Sequence, residues 1–286
     1  MSMPFYVAPE QWMKDKADFA RKGIARGRAL AALEYDNGVV ICAENSSATL
    51  RKISEIYDRI AFAGAGKYNE YDRLRIAGVR HADLKGYAYS REDVDAQGLA
   101  NAYAQMLGDV FTHEVKPLEV EILVAEVGED ADANRLFHIL YDGTVVDESG
   151  CTVLGGEGDT IGERLRQSYQ PNLSLSDALK AAVTALAGGD RQIVPSELEV
   201  AVLSRDNGRR AFRRLDDDEI GELLGVAADA PTDDETAAAA SATPAVDTPA
   251  VDTPAAGKPA AGKAASKADE PTPTEGEAEG GTTDAK

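Results

Sequence analysis

An α+β protein built as a four-layer αββα sandwich is predicted by the order of elements along the chain. Strand-prone runs come in two sets, each followed by a pair of helical segments, an order satisfied by two stacked antiparallel sheets with helices on both outer faces. An extra amphipathic helix precedes the first strand. Composition then breaks near Val226: from there to Lys286 the chain has no Leu, Ile, Met, Phe, Tyr or Trp, and such a segment cannot bury a core. Residues 1–225 are therefore expected to be one globular domain and residues 226–286 a disordered, acidic, Ala/Pro/Thr-rich tail. The near-repeats TPAVDTPAVDTPA and AAGKPAAGKAASK place prolines that keep the alanines out of a helix.

Each element has a local reason. Val7-Ala8-Pro9-Glu10 reads as a turn into a helix over residues 10–26, with Pro9 near the first helical position, where its missing N–H costs nothing. Met13, Ala17, Ala20 and Ile24 recur at helical spacing, and Lys14, Asp15, Lys16, Asp18, Arg21 and Lys22 fill the remaining surface. Ala29 to Tyr35 and Val39 to Glu44 are β-prone, joined by Asp36-Asn37-Gly38 as a tight hairpin turn. Ile53 to Tyr57 and Ile60 to Gly64 follow as short strands. The next helix runs from about Lys67 to Ala82; the one after it takes Ser90 as N-cap with Asp93 three residues on, and ends at Pro117. Strands return at Leu118 to Val127, Arg135 to Tyr141 and Thr144 to Val153, with Asp142-Gly143 as a turn. Asp159 to Tyr169 and a helix capped by Ser174 or Ser176 form the second pair. Glu197 to Arg205, Ala211 to Leu215 and a helix from Asp216 to Leu224 close the domain.

Charge and composition exclude several functions. The formal net charge is −20, and the tail, with 12 acidic and four basic residues, holds −8 of it. Nucleic acid is not an expected partner, because the one basic run, Arg205 to Arg214, contains Asp206 and is followed at once by Asp216-Asp217-Asp218-Glu219. Those four acids read as helix-start residues favoured by the macrodipole. No stretch approaches the roughly 18 apolar residues of a membrane span, and no leader pattern opens the chain. Cys42 and Cys151, both in apolar β-prone settings, read as two buried free thiols of a reducing compartment, so a cytoplasmic protein without membrane contact is expected. His81, His113 and His138 are scattered, with no metal-ligand spacing. Ala61 to Tyr68 departs from a phosphate loop at both ends, and Gly155-Gly156-Glu157-Gly158 misses the dinucleotide spacing; both read as strand-to-helix connections. No cofactor or metal is expected.

The residues carry a resemblance. Phe5-x-x-x-Pro9-Glu10, the helix with Ala20-Arg21-Lys22-Gly23, then Asn37-Gly38-Val39-Val40 in a hairpin ending Ala43-Glu44-Asn45, followed in order by Lys52 to Lys67, Val120 to Val127 and Leu136 to Gly143, resemble the actinobacterial type of proteasome α-subunit over residues 1 to about 225. That resemblance places the sandwich in the N-terminal nucleophile hydrolase class. In catalytic relatives a Thr, Ser or Cys heads the first strand and acts through its own α-amine. The corresponding junction here is Ala25-Arg26-Gly27-Arg28-Ala29, without hydroxyl or thiol, so an inert, non-catalytic subunit is expected.

By position, the resemblance assigns an axial gate to residues 1–9, that is Met1, Ser2, Met3, Pro4, Phe5, Tyr6, Val7, Ala8 and Pro9, and a docking site for a regulator's C-terminal carboxylate to Lys52, with Gly27 near the same pocket. Lys52 is expected on the strand after the first hairpin. The partners implied are other copies of the chain in a heptameric ring, a proteasome β-subunit that holds the threonine protease chemistry, a ring-shaped ATPase that docks by its C-terminus, and protein substrates marked by a ubiquitin-like modifier. Two other classes stand beside this one: an independent N-terminal nucleophile-type hydrolase and a ring-forming scaffold.

Overall fold

The computed structural model describes residues 8–47, 49–189 and 191–225. Residues 1–7 of the expected gate and the expected tail lie outside the described residues. Helix α1 (Pro9–Ala25) comes first, and the strands then build two five-stranded antiparallel sheets. One has the order β10-β9-β2-β1-β8, formed by β1 (Leu30–Tyr35), β2 (Gly38–Glu44), β8 (Cys151–Leu154), β9 (Leu198–Ser204) and β10 (Phe212–Arg214). The other is β3-β4-β5-β6-β7, from β3 (Ile53–Tyr57), β4 (Ile60–Gly66), β5 (Val120–Glu126), β6 (Arg135–Ile139) and β7 (Val145–Glu148).

Alternation sorts the side chains into three cores. Leu30, Ala32, Val39, Ile41, Ala63, Leu123 and Leu136 fill the space between the sheets. Leu33, Val40, Val200 and Val202 face α4 (Gly158–Ser168), α5 (Leu175–Ala187) and α6 (Asp217–Leu224). Phe62, Ile122, Val124 and Phe137 face α2 (Tyr68–Ala88) and α3 (Ala96–His113). The result is the four-layer αββα order. Strands buried on both faces favour placing polar groups at their ends, as with Glu44 at the end of β2 and Glu199 near the start of β9.

Three boundaries differ from the sequence expectation. The run Thr144 to Val153 is two strands in two sheets: Val145 to Glu148 pairs with β6, whereas Cys151 to Leu154 pairs with β1. Gly150 makes the crossing at φ +76, where an added Cβ would come within 2.6 Å of the Tyr169 ring, and its N–H donates to the Glu34 carboxylate at 2.7 Å. Ser90 caps only a single 3₁₀ turn, Arg91–Asp93; Asp95 is the N-cap of α3, accepting from the Gly98 N–H at 2.6 Å. Helix α2 runs six residues past Ala82, although Leu84 and Tyr87 are exposed, and the Lys85–Asp95 ion pair at 2.7 Å secures its last turn. Asp216 and Glu219 form a reciprocal capping box at the start of α6, a local role for the acidic run.

Lys16 departs furthest from its expected place on the surface: only 4% exposed, it sends its ammonium to the carbonyls of Phe111 (2.9 Å) and Glu114 (2.6 Å). Helix ends leave carbonyls without intrahelical donors, and a lysine from α1 supplies one at the end of α3 while lying 4.3 Å from the Trp12 ring centroid. This ties the extra helix to the sandwich. Lys16→Met is expected to cost about 2 kcal/mol of stability, read as a lower urea midpoint; an unchanged midpoint would show that α1 is held by its apolar face alone.

Candidate functional site

Two of the sequence-derived site residues, Lys52 and Gly27, meet where α1 gives way to β1. After Ala25 the Gly27 N–H bonds back to the Ile24 carbonyl at 2.9 Å, and the chain turns into the first sheet. A Cβ on Gly27 would lie 3.3 Å from the Gly66 nitrogen, so the two backbones pass too closely for a side chain to fit without displacement. Gly66 itself sits at φ +100, with its missing Cβ directed at the Glu119 carbonyl. Beside this contact the Lys52 ammonium donates to the Arg28 carbonyl at 2.6 Å. Lys52 and Gly27, 25 positions apart in sequence, thus share the head of β1. Lys52 stands just before β3 instead of on it.

Two carboxylates that sequence reading passed over organise the site. Glu199 on β9 is 2% exposed; its Oε2 accepts from the Lys52 N–H (2.9 Å) and the Asn45 amide (2.6 Å), its Oε1 from the Ile53 N–H (3.2 Å), and Arg214 pairs with it. Glu44 at the end of β2 pairs with Arg28 at 3.0 Å and with Arg191. The signal was a single carboxylate inside an otherwise apolar strand, which must find donors when buried. Burial pushes the Lys52 amine down to about 8, against the opposing pull of Glu44 and Glu199 and with help from the Arg28 charge. The outcome is a cation near its titration point, one proton committed to a carbonyl and the others available to an anion.

The remaining candidates hold structural places. Between the end of α1 and the start of β1 stand only Arg26, Gly27, Arg28 and Ala29. The basic run is engaged: Arg205 with the Gly128 and Asp130 carbonyls, Arg209 with Asp58, Arg210 with Glu55, Arg213 with Glu219 and Arg214 with Glu199. Cys42 and Cys151 are free and buried, and burial raises the Cys42 thiol to about 12, which makes it inert. His138 lies 3.4 Å from Glu121, and His113 meets the Asp109 carbonyl. Among the described residues no helix is long and apolar enough to cross a membrane. Ala8 and Pro9 of the expected gate open α1; no side-chain hydrogen bond caps the helix at Ala8.

Glu199→Gln should lower stability by about 3 kcal/mol, because Arg214 loses its charged partner and an amide cannot accept at both positions. Urea unfolding checks it, with a loss no larger than that of an exposed ion-pair mutant counting against Glu199 as the clamp.

A family model for the proteasome subunit matches residues 24–203 of the chain. Among curated relatives, the proteasome subunit alpha of Acidimicrobium ferrooxidans is 62% identical over 225 residues, covering 79% of this chain and 97% of that protein. That of Xylanimonas cellulosilytica is 57% identical, over 75% of this chain and 93% of the relative, and that of Kineococcus radiotolerans 54%, over 78% and 98%.

Proposed function

The chain belongs to the proteasome family as an α-type subunit, and on that premise we propose that it forms the heptameric outer ring of a 20S core particle in the cytoplasm. There it templates the β rings, which carry the threonine protease chemistry, and gates substrate entry with residues 1–9. The observation that carries the reading is the head of β1: the junction Arg26-Gly27-Arg28 offers no hydroxyl or thiol, and α1, tied down through Lys16, stands in front of it. The experiment is co-expression with a proteasome β-subunit. Peptide hydrolysis should appear only with the β-subunit, and deletion of residues 1–8 should speed peptide entry. Hydrolysis by the rigorously purified chain alone would favour the independent hydrolase, and ring assembly with no recruitment of β the scaffold.

Lys52 and Gly27 are proposed to receive the C-terminal carboxylate of a ring-shaped ATPase that delivers proteins marked by a ubiquitin-like modifier. A half-buried ammonium suits a carboxylate because partial desolvation strengthens the pair. Lys52→Ala should leave assembly and small-peptide hydrolysis intact while weakening regulator binding. One such contact is worth roughly 1.5 to 3 kcal/mol, and repetition around a ring multiplies the loss.

The depressed amine adds a pH test. Below about 8 the ammonium is charged and docking is at full strength; as pH rises through about 8 the proton is lost and docking should weaken. Lys52→Arg should flatten that dependence, since a guanidinium stays charged. Regulator binding that is equal in wild type and Lys52→Ala at pH 7 would remove Lys52 from the site.

A further inference from the structure

The head of β1 also borders a second space, a cavity of about 500 Å³ between the start of α4 and the end of α5, into which Arg28, Arg164 and Arg191 converge. Among the described residues two carboxylates line it, Glu44 and Glu157, so the lining carries an excess positive charge. Glu44 is 3% exposed and already serves two guanidiniums: its Oε2 accepts from Nη1 of Arg28 and from Nη1 of Arg191, both at 3.0 Å, and its Oε1 accepts from Nη2 of Arg191. Nη2 of Arg191 also reaches the Leu186 carbonyl at 3.1 Å, and Nη1 of Arg164 the Ala185 carbonyl at 2.8 Å. Each guanidinium has five N–H donors. Among the described residues the three side chains make those five hydrogen bonds in total, which leaves most donors unspent.

We propose that this cavity binds a small oxyanion, a phosphate or a carboxylate. The buried Glu44 carboxylate acts as the rear support that fixes two planar forks, and it cannot neutralise both. The side chains of Arg28 and Arg191 are about half exposed, at 54% and 49%, so their outer edges reach the solvent from which an anion would enter. A cluster built only to hold the chain after α5 against β2 would need Arg191 alone; Arg28 and Arg164 add positive charge from two further walls. A planar or tetrahedral oxyanion matches paired guanidinium edges better than chloride does, because it accepts two N–H bonds at once. The cavity shares Gly27 with the docking site proposed above but not its cation: the Lys52 ammonium faces the Arg28 carbonyl and is not part of this lining.

The test is titration calorimetry of the full chain with inorganic phosphate and, separately, with succinate, at ionic strength held constant with chloride. Saturable binding with a Kd on the order of millimolar is expected, as for one or two charge-assisted contacts. Arg28→Gln and Arg164→Gln should each weaken it roughly tenfold or more, and Lys52→Ala should leave it unchanged. Loss in both arginine variants supports the site, and the probe that binds more tightly identifies the oxyanion. Heats that only follow ionic strength, or binding that survives both substitutions, would overturn it. If Arg28→Gln does not fold, Arg164→Gln on the opposite wall gives the same reading. Loss in Lys52→Ala alone would instead assign the anion to the docking lysine.

Discussion

The buried carboxylate of Glu199 is the constraint on which the site depends. The chain must leave the first sheet at the end of β2 and enter the second at β3, and the backbone on either side of that passage carries N–H groups cut off from water. Glu199 answers from the neighbouring strand. It takes the Asn45 amide on one side of the passage and the Lys52 and Ile53 N–H groups on the other, while Arg214 balances its charge. Each bond lies in a low-dielectric setting, where a satisfied network is rigid and a half-satisfied one is costly. The segment is therefore held at both ends, and Lys52 projects from its fixed end. A cation on a free loop would have to surrender backbone freedom on meeting any partner; for Lys52 folding has already met that cost.

Much of the sandwich was legible because alternation and helical spacing are dense in this chain. Glycine and aspartate punctuation located the turns, and the composition break near Val226 separated the globular run from the low-complexity one. The sheet that each strand joins could not be read. Val145 to Glu148 and Cys151 to Leu154 look like one strand with a polar middle, and only pairing partners far away in sequence divide them. Ser90 reads as the cap of α3, but Asp95 carries the same kind of side-chain acceptor five residues on, and the first turn it caps is also held by the Glu126 carboxylate, which accepts the Ala96 N–H at 2.9 Å from a strand distant in sequence.

The site was half legible. Lys52 and Gly27 were reachable through a resemblance, but Glu44, Glu199 and Lys16 were not, and for one reason. Charged residues are mostly on surfaces, so a charged residue at the end of a strand or on a helix reads as solvated unless its partner is known. Those partners lie far off in sequence: Lys16 meets the end of α3, Glu44 meets Arg191, and Glu199 meets the segment before β3. Lys16 sits on the helix flank where a wholly amphipathic pattern would put a solvated lysine, and the orphan carbonyls it serves belong to another helix.

The head of β1 combines a retained helix with a cluster of fixed cations. A nucleophile there would need an open approach and a free amine. In this chain α1 continues into the strand through Gly27, the close backbone pass with Gly66 would have to shift to admit a side chain, and the Arg28 carbonyl holds the nearby Lys52 amine by a hydrogen bond. The groups that remain are cationic, partly exposed and fixed by buried carboxylates from behind. Such a surface is suited to negative charge.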